Sequence, residues 1–287
     1  MTNLETRFET TGPINLKVEL LMGDVTLTPS DDPTTTVRLI PRGRMGEELA
    51  QRFTVEARGN DVVVIAPKKE GFLGLGTKGS VDVEVALPSS SNVDVRTGAG
   101  DCEATGLLGD VHVATGAGDI AFHEIASADL KSGSGDVGIQ VAAAEARVKT
   151  GSGDVTIGQA HGDLDVVSGS GDVKINKADG QVKAKTGSGD VALTASIADL
   201  DLMTGTGDVK LGGVHGGTVK ARTGTGDVVI GVANGVAAYL DLNTVTGDVE
   251  VDLDPVDGPS GAEAQTSLAV QSGSGDIHVK RTQVSLT

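Results

Sequence analysis

Apolar and polar residues alternate along much of the chain. Val155 and Ile157, Val173 and Ile175, Val191 and Leu193, and Val209 and Leu211 each stand two apart, as do Leu164 and Val166 or Leu200 and Leu202. A period of two predicts strands with one buried face. The strands are short and are bounded by one recurring turn, TGSGDV at 150–155 and close variants elsewhere. Its acid falls at Asp101, Asp119, Asp136, Asp154, Asp172, Asp190, Asp208, Asp227, Asp248 and Asp276, at spacings of 18, 17, 18, 18, 18, 18, 19, 21 and 28 residues. A short fixed period marks a stacked repeat. A weaker turn lies midway through each repeat, as in HGDLDVVSG at 161–169 and ADGQVKAKTG at 178–187.

Two strands and two turns in about 18 residues predict one coil of an all-β, parallel β-solenoid, with coils stacking at about 4.8 Å. An antiparallel hairpin array would use similar units, but alternating strong and weak turns suit a coil with two unlike sides. Within TGSGDV the glycines permit positive φ at a corner. The Asp side chain can accept backbone N–H groups, and the Val opens the next inward-facing pair. The first 92 residues differ. NLKVELLMGDVTLTPS, TTTVRLIPRG, FTVEARGNDVVVIAP and GSVDVEVALPSSSNVDV read as longer strands, with a short helix in GEELAQRF. Residues 1–92 are therefore expected to be a β-rich N-terminal cap or early coils, and 93–287 the solenoid repeats. An irregular insertion at 254–267 precedes a last coil at the C-terminal end. Open coil ends need covering, because an exposed edge pairs with other chains.

Aromatic residues are 2% of the chain, with no Trp, so Val, Ile, Leu and Ala must fill a narrow core. The 42 Gly recur at fixed offsets, which argues against a disordered low-complexity chain. The net charge is −17, of which −3 falls in residues 1–92 and −14 in the repeats. Such a charge repels phosphate backbones and anionic lipid surfaces, which disfavours generic nucleic-acid binding and favours cations or basic partners. The single cysteine, Cys102, forms no intrachain disulfide. MTNLETRFET lacks the apolar core of a signal peptide, and no apolar run of about 18 residues is present to span a bilayer. A cytoplasmic location is the expectation.

The strand-rich N-terminal part ending in VDVEVALP, followed by VDVRTGAGD and the repeated TGSGDV, resembles the bacterial putative-adhesin family of β-strand-repeat proteins over nearly the whole length. The resemblance implies a β-helical fold without an assigned biochemical activity, and a link to envelope-stress or membrane-associated processes.

Stacked at one coil spacing, Asp154, Asp172, Asp190 and Asp208 would repel by about 1 kcal/mol per neighbouring pair even in water. Turn N–H groups and solvent can relieve this. The functional alternative is a cation ladder, with calcium the candidate ion by analogy with calcium-binding nonapeptide solenoids. One carboxylate per coil, however, supplies few of the six to eight oxygens calcium takes. The column Thr150/Ser152, Ser168/Ser170, Thr186/Ser188, Thr204/Thr206 and Thr223/Thr225 reads as hydroxyl-to-backbone turn bonding rather than an ice-binding face. His161 and His215 are three coils, roughly 14 Å, apart. His112, His123 and His278 fall at solvent-facing strand positions with no cysteine beside them, so no zinc site is expected. Repeated SGSGD corners are not nucleophile elbows, and no helix follows the Gly-x-Gly matches. The protein is thus expected not to be an enzyme.

KKEGFLGLGTKG at 68–79 sets Phe72, Leu73 and Leu75 beside Lys68 and Lys69, an apolar tip with a basic collar. It is a candidate contact for a partner or an anionic membrane, or a lid over the solenoid end. Together these features predict a non-catalytic binding or scaffold protein with an unidentified protein partner. A calcium-stabilised repeat protein and a self-assembling homo-oligomer are the alternatives.

Overall fold

The computed structural model describes residues 3–67, 79–253 and 264–284, nearly all in β-strands, as the alternating pattern predicts. The chain divides into two compact units, Met1–Ile139 and Gln140–Thr287.

In the second unit each coil contributes one strand to each of two parallel columns. Ala146–Ser152, Leu164–Ser170, Val182–Ser188, Leu200–Thr206 and Gly217–Thr225 pair in order without a slip of register. Val155–Ala160, Val173–Ala178, Val191–Ser196, Val209–Val214 and Val228–Ala233 form the other column. Inward residues superpose from coil to coil, giving rows such as Val155, Val173, Val191, Val209 and Val228, each 0% exposed. The predicted narrow aliphatic core is what these rows form.

The order of coils departs from chain order at the end of the repeat. Gln265–Ser274 pairs on one edge with Gly217–Thr225 and on the other with Ala237–Thr246. Ile277–Thr282 lies likewise between Val228–Ala233 and Val249–Asp252. The C-terminal coil is therefore next to last, and the coil 237–252 is outermost. Both edges of the C-terminal strands are paired, which protects them against fraying. The outermost coil instead leaves apolar side chains partly uncovered: Leu240, Val249 and Val251 are 37%, 45% and 42% exposed.

The first unit is threaded in the same manner. Asn15–Glu19 lies between Asp61–Ile65 and Asn92–Ala99, and Val25–Ser30 between Gly79–Pro88 and Cys102–Ala117. Antiparallel strands then flank Asp61–Ile65 and Gly79–Pro88. Thr54–Arg58 pairs with Asp61–Ile65, Thr34–Gly43 with Gly79–Pro88, and Leu4–Glu9 with Thr34–Gly43. The described residues of this stretch include parallel and antiparallel strands, and Gly46–Ala50 is the short helix expected in GEELAQRF.

Both glycines of the corner motif are required by close approach of successive coils. At Gly189 φ is +139°, and a Cβ would lie 2.2 Å from the carbonyl oxygen of Gly171. At Gly187 φ is ordinary, but a Cβ would lie 2.6 Å from the Gly169 carbonyl. The first hydroxyl of the motif points inward. Thr186, Thr204 and Thr223 are buried and donate to the carbonyls of Gly171, Gly189 and Gly207 at 3.0, 2.8 and 2.8 Å. These bonds satisfy carbonyls at the positive-φ corner and are the hydroxyl-to-backbone turn chemistry read from the sequence.

Candidate functional site

The corner aspartates stack in a column, one per coil. The backbone N–H of Asp172 donates to Oδ1 of Asp154 (2.8 Å), that of Asp190 to Asp172 (3.0 Å), that of Asp208 to Asp190 (2.8 Å) and that of Asp227 to Asp208 (2.9 Å). The column follows spatial order, passing from Asp227 to Asp276 and then to Asp248. In the first unit Asp82, Asp24, Asp101, Asp119 and Asp136 form the same chain of bonds. Asp24 and Asp82 are absent from the sequence-derived ladder because one lies in MGDV and the other in SVDV, each without the paired glycines.

Ammonium groups meet the other carboxylate oxygens. Lys174 Nζ is 3.4 Å from Asp172 Oδ2, and Lys210 Nζ is 3.0 Å from Asp208 Oδ2 and 3.7 Å from Asp190 Oδ2. Of the four aspartates considered as a cation ladder, each gives one oxygen to an amide, and three also face a lysine. Few oxygens remain for an ion that takes six to eight.

The Asp208 carboxyl is held below its ordinary range, first by the Asp227 N–H and then by Lys210. A depressed folded-state pKa contributes stability that is fully present above the unfolded value, about 3.9, and is lost as pH falls through the folded value. Asp208→Asn retains an oxygen for the Asp227 N–H but removes the charge. It is expected to lower the urea midpoint at neutral pH and to converge with the wild type in strong acid. Urea titrations across that range check this, and a constant offset at all pH values would contradict it.

The remaining candidates scatter. Cys102 is fully buried, and burial, followed by Glu103 and Asp101, pushes its thiol up to about 12, so it stays protonated and unreactive at neutral pH. His161 Nδ1 meets Asp179, at 2.7 Å. His278 faces Asp252 and Glu250. Phe72, Leu73, Leu75, Lys68 and Lys69 lie outside the described residues.

The sequence reading missed one surface. On the outer face of the column that begins at Ala146–Ser152, alternate strands carry two cations each: Arg147 and Lys149, Lys183 and Lys185, Lys220 and Arg222. The strands between carry one acid and one apolar residue, Asp165 with Val167 and Asp201 with Met203. Strict register turns this alternation into two rows across five strands. Arg147, Asp165, Lys183, Asp201 and Lys220 form one, and Lys149, Val167, Lys185, Met203 and Arg222 the other. The second row contains no acid, and among the described residues Lys149, Lys185 and Arg222 make no ion pair. In the first unit, by contrast, Lys17, Arg96 and Lys131 pair with Glu19, Asp94 and Asp129 on their own strands at 2.8, 3.4 and 2.8 Å. Six of the eleven Lys and Arg of the second unit lie on this face. The K-x-K and K-x-R spacings in VKAKTG and VKARTG carried the signal, which the net charge of −17 concealed.

Comparison with known proteins gives a family match that covers most of the chain. The model of the Toastrack DUF4097 family matches residues 14–198 and 182–286. No curated protein matches the chain. Among solved structures, a putative adhesin of Bacteroides fragilis is similar at 12% identity, with 97% of each chain covered and a TM-score of 0.43. A putative cell adhesion protein of Clostridium sporogenes is similar at 14% identity, covering 98% of this chain and 99% of its own, with a TM-score of 0.34. A putative lipid binding protein of Parabacteroides distasonis is similar at 11% identity, with 97% of each chain covered and a TM-score of 0.32. At these identities and scores the likenesses say nothing about activity.

Proposed function

Since the chain belongs to the Toastrack DUF4097 family and folds as an all-β solenoid, we propose that the protein is a non-catalytic binding module. Its working surface is the basic face of the second unit, and its partner is an anionic phospholipid surface. The observation that carries this is the acid-free row Lys149, Val167, Lys185, Met203 and Arg222 on an acidic protein. A sheet face is a shallow surface and suits a headgroup layer better than a groove. Cations on alternate strands reach several headgroups at once, while Val167, 37% exposed, and Met203 supply apolar contact between them. Each Lys or Arg near an anionic leaflet contributes about 1 kcal/mol, so six cations offset by Asp165, Asp201 and Glu145, which pairs with Arg147, give about 3 kcal/mol. Binding of that size is reversible and sensitive to salt. The acidic corners are repelled by the same surface, so only one face can approach it.

Co-sedimentation tests this reading. The full chain is expected to bind phosphatidylglycerol–phosphatidylcholine vesicles at low salt, to release them at high salt, and to ignore pure phosphatidylcholine. Equal binding to neutral vesicles would overturn the proposal. So would displacement by duplex DNA at matched phosphate concentration, which would indicate a general polyanion site.

A further inference from the structure

We propose that Glu250, Asp252 and His278 form a site for one divalent transition-metal ion of the zinc class, between the outermost coil of the second unit and the C-terminal coil beside it. The proposal is independent of the lipid-binding reading. Val249–Asp252 and Ile277–Thr282 are adjacent parallel strands, with Glu250 opposite His278 and Asp252 opposite Lys280. Alternation puts Glu250 and Asp252 on one face of their strand, and the register brings His278 to that face on the next. His278 Nε2 lies 3.0 Å from Asp252 Oδ2 and 4.0 Å from Glu250 Oε2, and the three donor atoms all fall within 4.8 Å of one another.

A tetrahedral zinc site with metal–ligand distances of about 2.0–2.2 Å separates its donors by about 3.3 Å. The observed separations bracket that value, so small side-chain rotations complete the set. One imidazole and two carboxylates supply three ligands and leave the fourth position to water, a donor set that suits zinc better than calcium or magnesium. Both carboxylates are largely exposed, at 69% and 60%, so binding requires little burial of charge.

Charge compensation distinguishes this group from the other flanked histidine. His112 also stands between two acids, Asp94 and Asp129, in register. Those acids are engaged by Arg96 and Lys131 at 3.4 and 2.8 Å. Among the described residues, no Lys or Arg pairs with Glu250 or Asp252, so the imidazole alone faces two negative charges. Among the described residues, the strand Val249–Asp252 has a single partner strand, Ile277–Thr282. A metal bridging the two would tie down the least covered coil of the unit.

The test is calorimetric titration of zinc into the full, tag-free chain after treatment with chelator, beside thermal melting. One equivalent of zinc is expected to bind and to raise the melting temperature. His278→Ala and Asp252→Asn should each weaken binding at least tenfold, while His112→Ala leaves it unchanged. Asp252→Asn keeps an acceptor for His278, so it decides the matter should His278→Ala fold poorly. Retention of full affinity in Asp252→Asn, or absence of stoichiometric binding by the wild type, would overturn the proposal.

Discussion

Gly189→Ala is expected to destabilise the second unit by about 4 kcal/mol, because two separate costs fall on one residue. The left-handed φ of +139° imposes backbone strain of about 1–3 kcal/mol on a non-glycine residue. A Cβ only 2.2 Å from the Gly171 carbonyl oxygen adds an overpacking cost of about 1–3 kcal/mol. Three other glycines of the unit separate these contributions. Gly235 has a φ of +78° with nothing within 4 Å of a Cβ, so its alanine variant should show backbone strain alone. Gly187 has the 2.6 Å contact without the positive φ, and its variant should show overpacking alone. Gly216 has neither, its nearest atoms being 3.8 Å away. Its variant should lie within about 0.5 kcal/mol of the wild type. Urea unfolding of the four variants checks the ordering. Equal stability of the Gly189 and Gly216 variants would contradict the close-packed corner.

Leu202→Ala is expected to cost about 4–5 kcal/mol, at the upper end of the range for a buried leucine. The reason is vertical. Leu202 is 0% exposed, and its in-register neighbours on the inner row are Ala184 and Ala221, also 0% exposed. Truncation would leave three alanines stacked, with no longer side chain in the row close enough to close the void. Leu211 stands between Leu193 and Ile230, larger side chains able to relax inward. Leu211→Ala should therefore cost less, about 3 kcal/mol. Denaturant midpoints at constant m-value measure the difference, and equal losses would mean that cavity collapse does not depend on the row.

Much of this architecture was legible in the sequence because a solenoid writes its geometry once per coil. The Val-x-Ile and Leu-x-Val pairs marked the inward rows, and the Gly-Asp period marked the corner. Four features were not legible, each because it depends on which strands become neighbours. The insertion of residues 265–282 between coils 217–233 and 237–252 leaves no local trace, since any coil of this repeat offers the same paired edges. Asp24 and Asp82 join the ladder through position rather than motif. The basic face emerges only when VKT at 148–150, VKAKT at 182–186 and VKART at 219–223 are set beside one another in register. The meeting of His278 with Glu250 and Asp252 likewise requires the pairing of two strands separated in sequence by an irregular segment.

The central claim is that position on the fold, not net charge, makes the protein a binder of anionic surfaces. Two triple variants of equal charge test it most directly, Lys149→Gln/Lys185→Gln/Arg222→Gln on the basic face and Lys174→Gln/Lys177→Gln/Lys210→Gln on the opposite column. Each lowers the net charge from −17 to −20. Vesicle co-sedimentation at low salt should show binding abolished in the first and largely kept in the second, with both proteins folded by melting. Equal loss in the two would mean that bulk charge governs the interaction, and retained binding in the first would show that the face is not the contact.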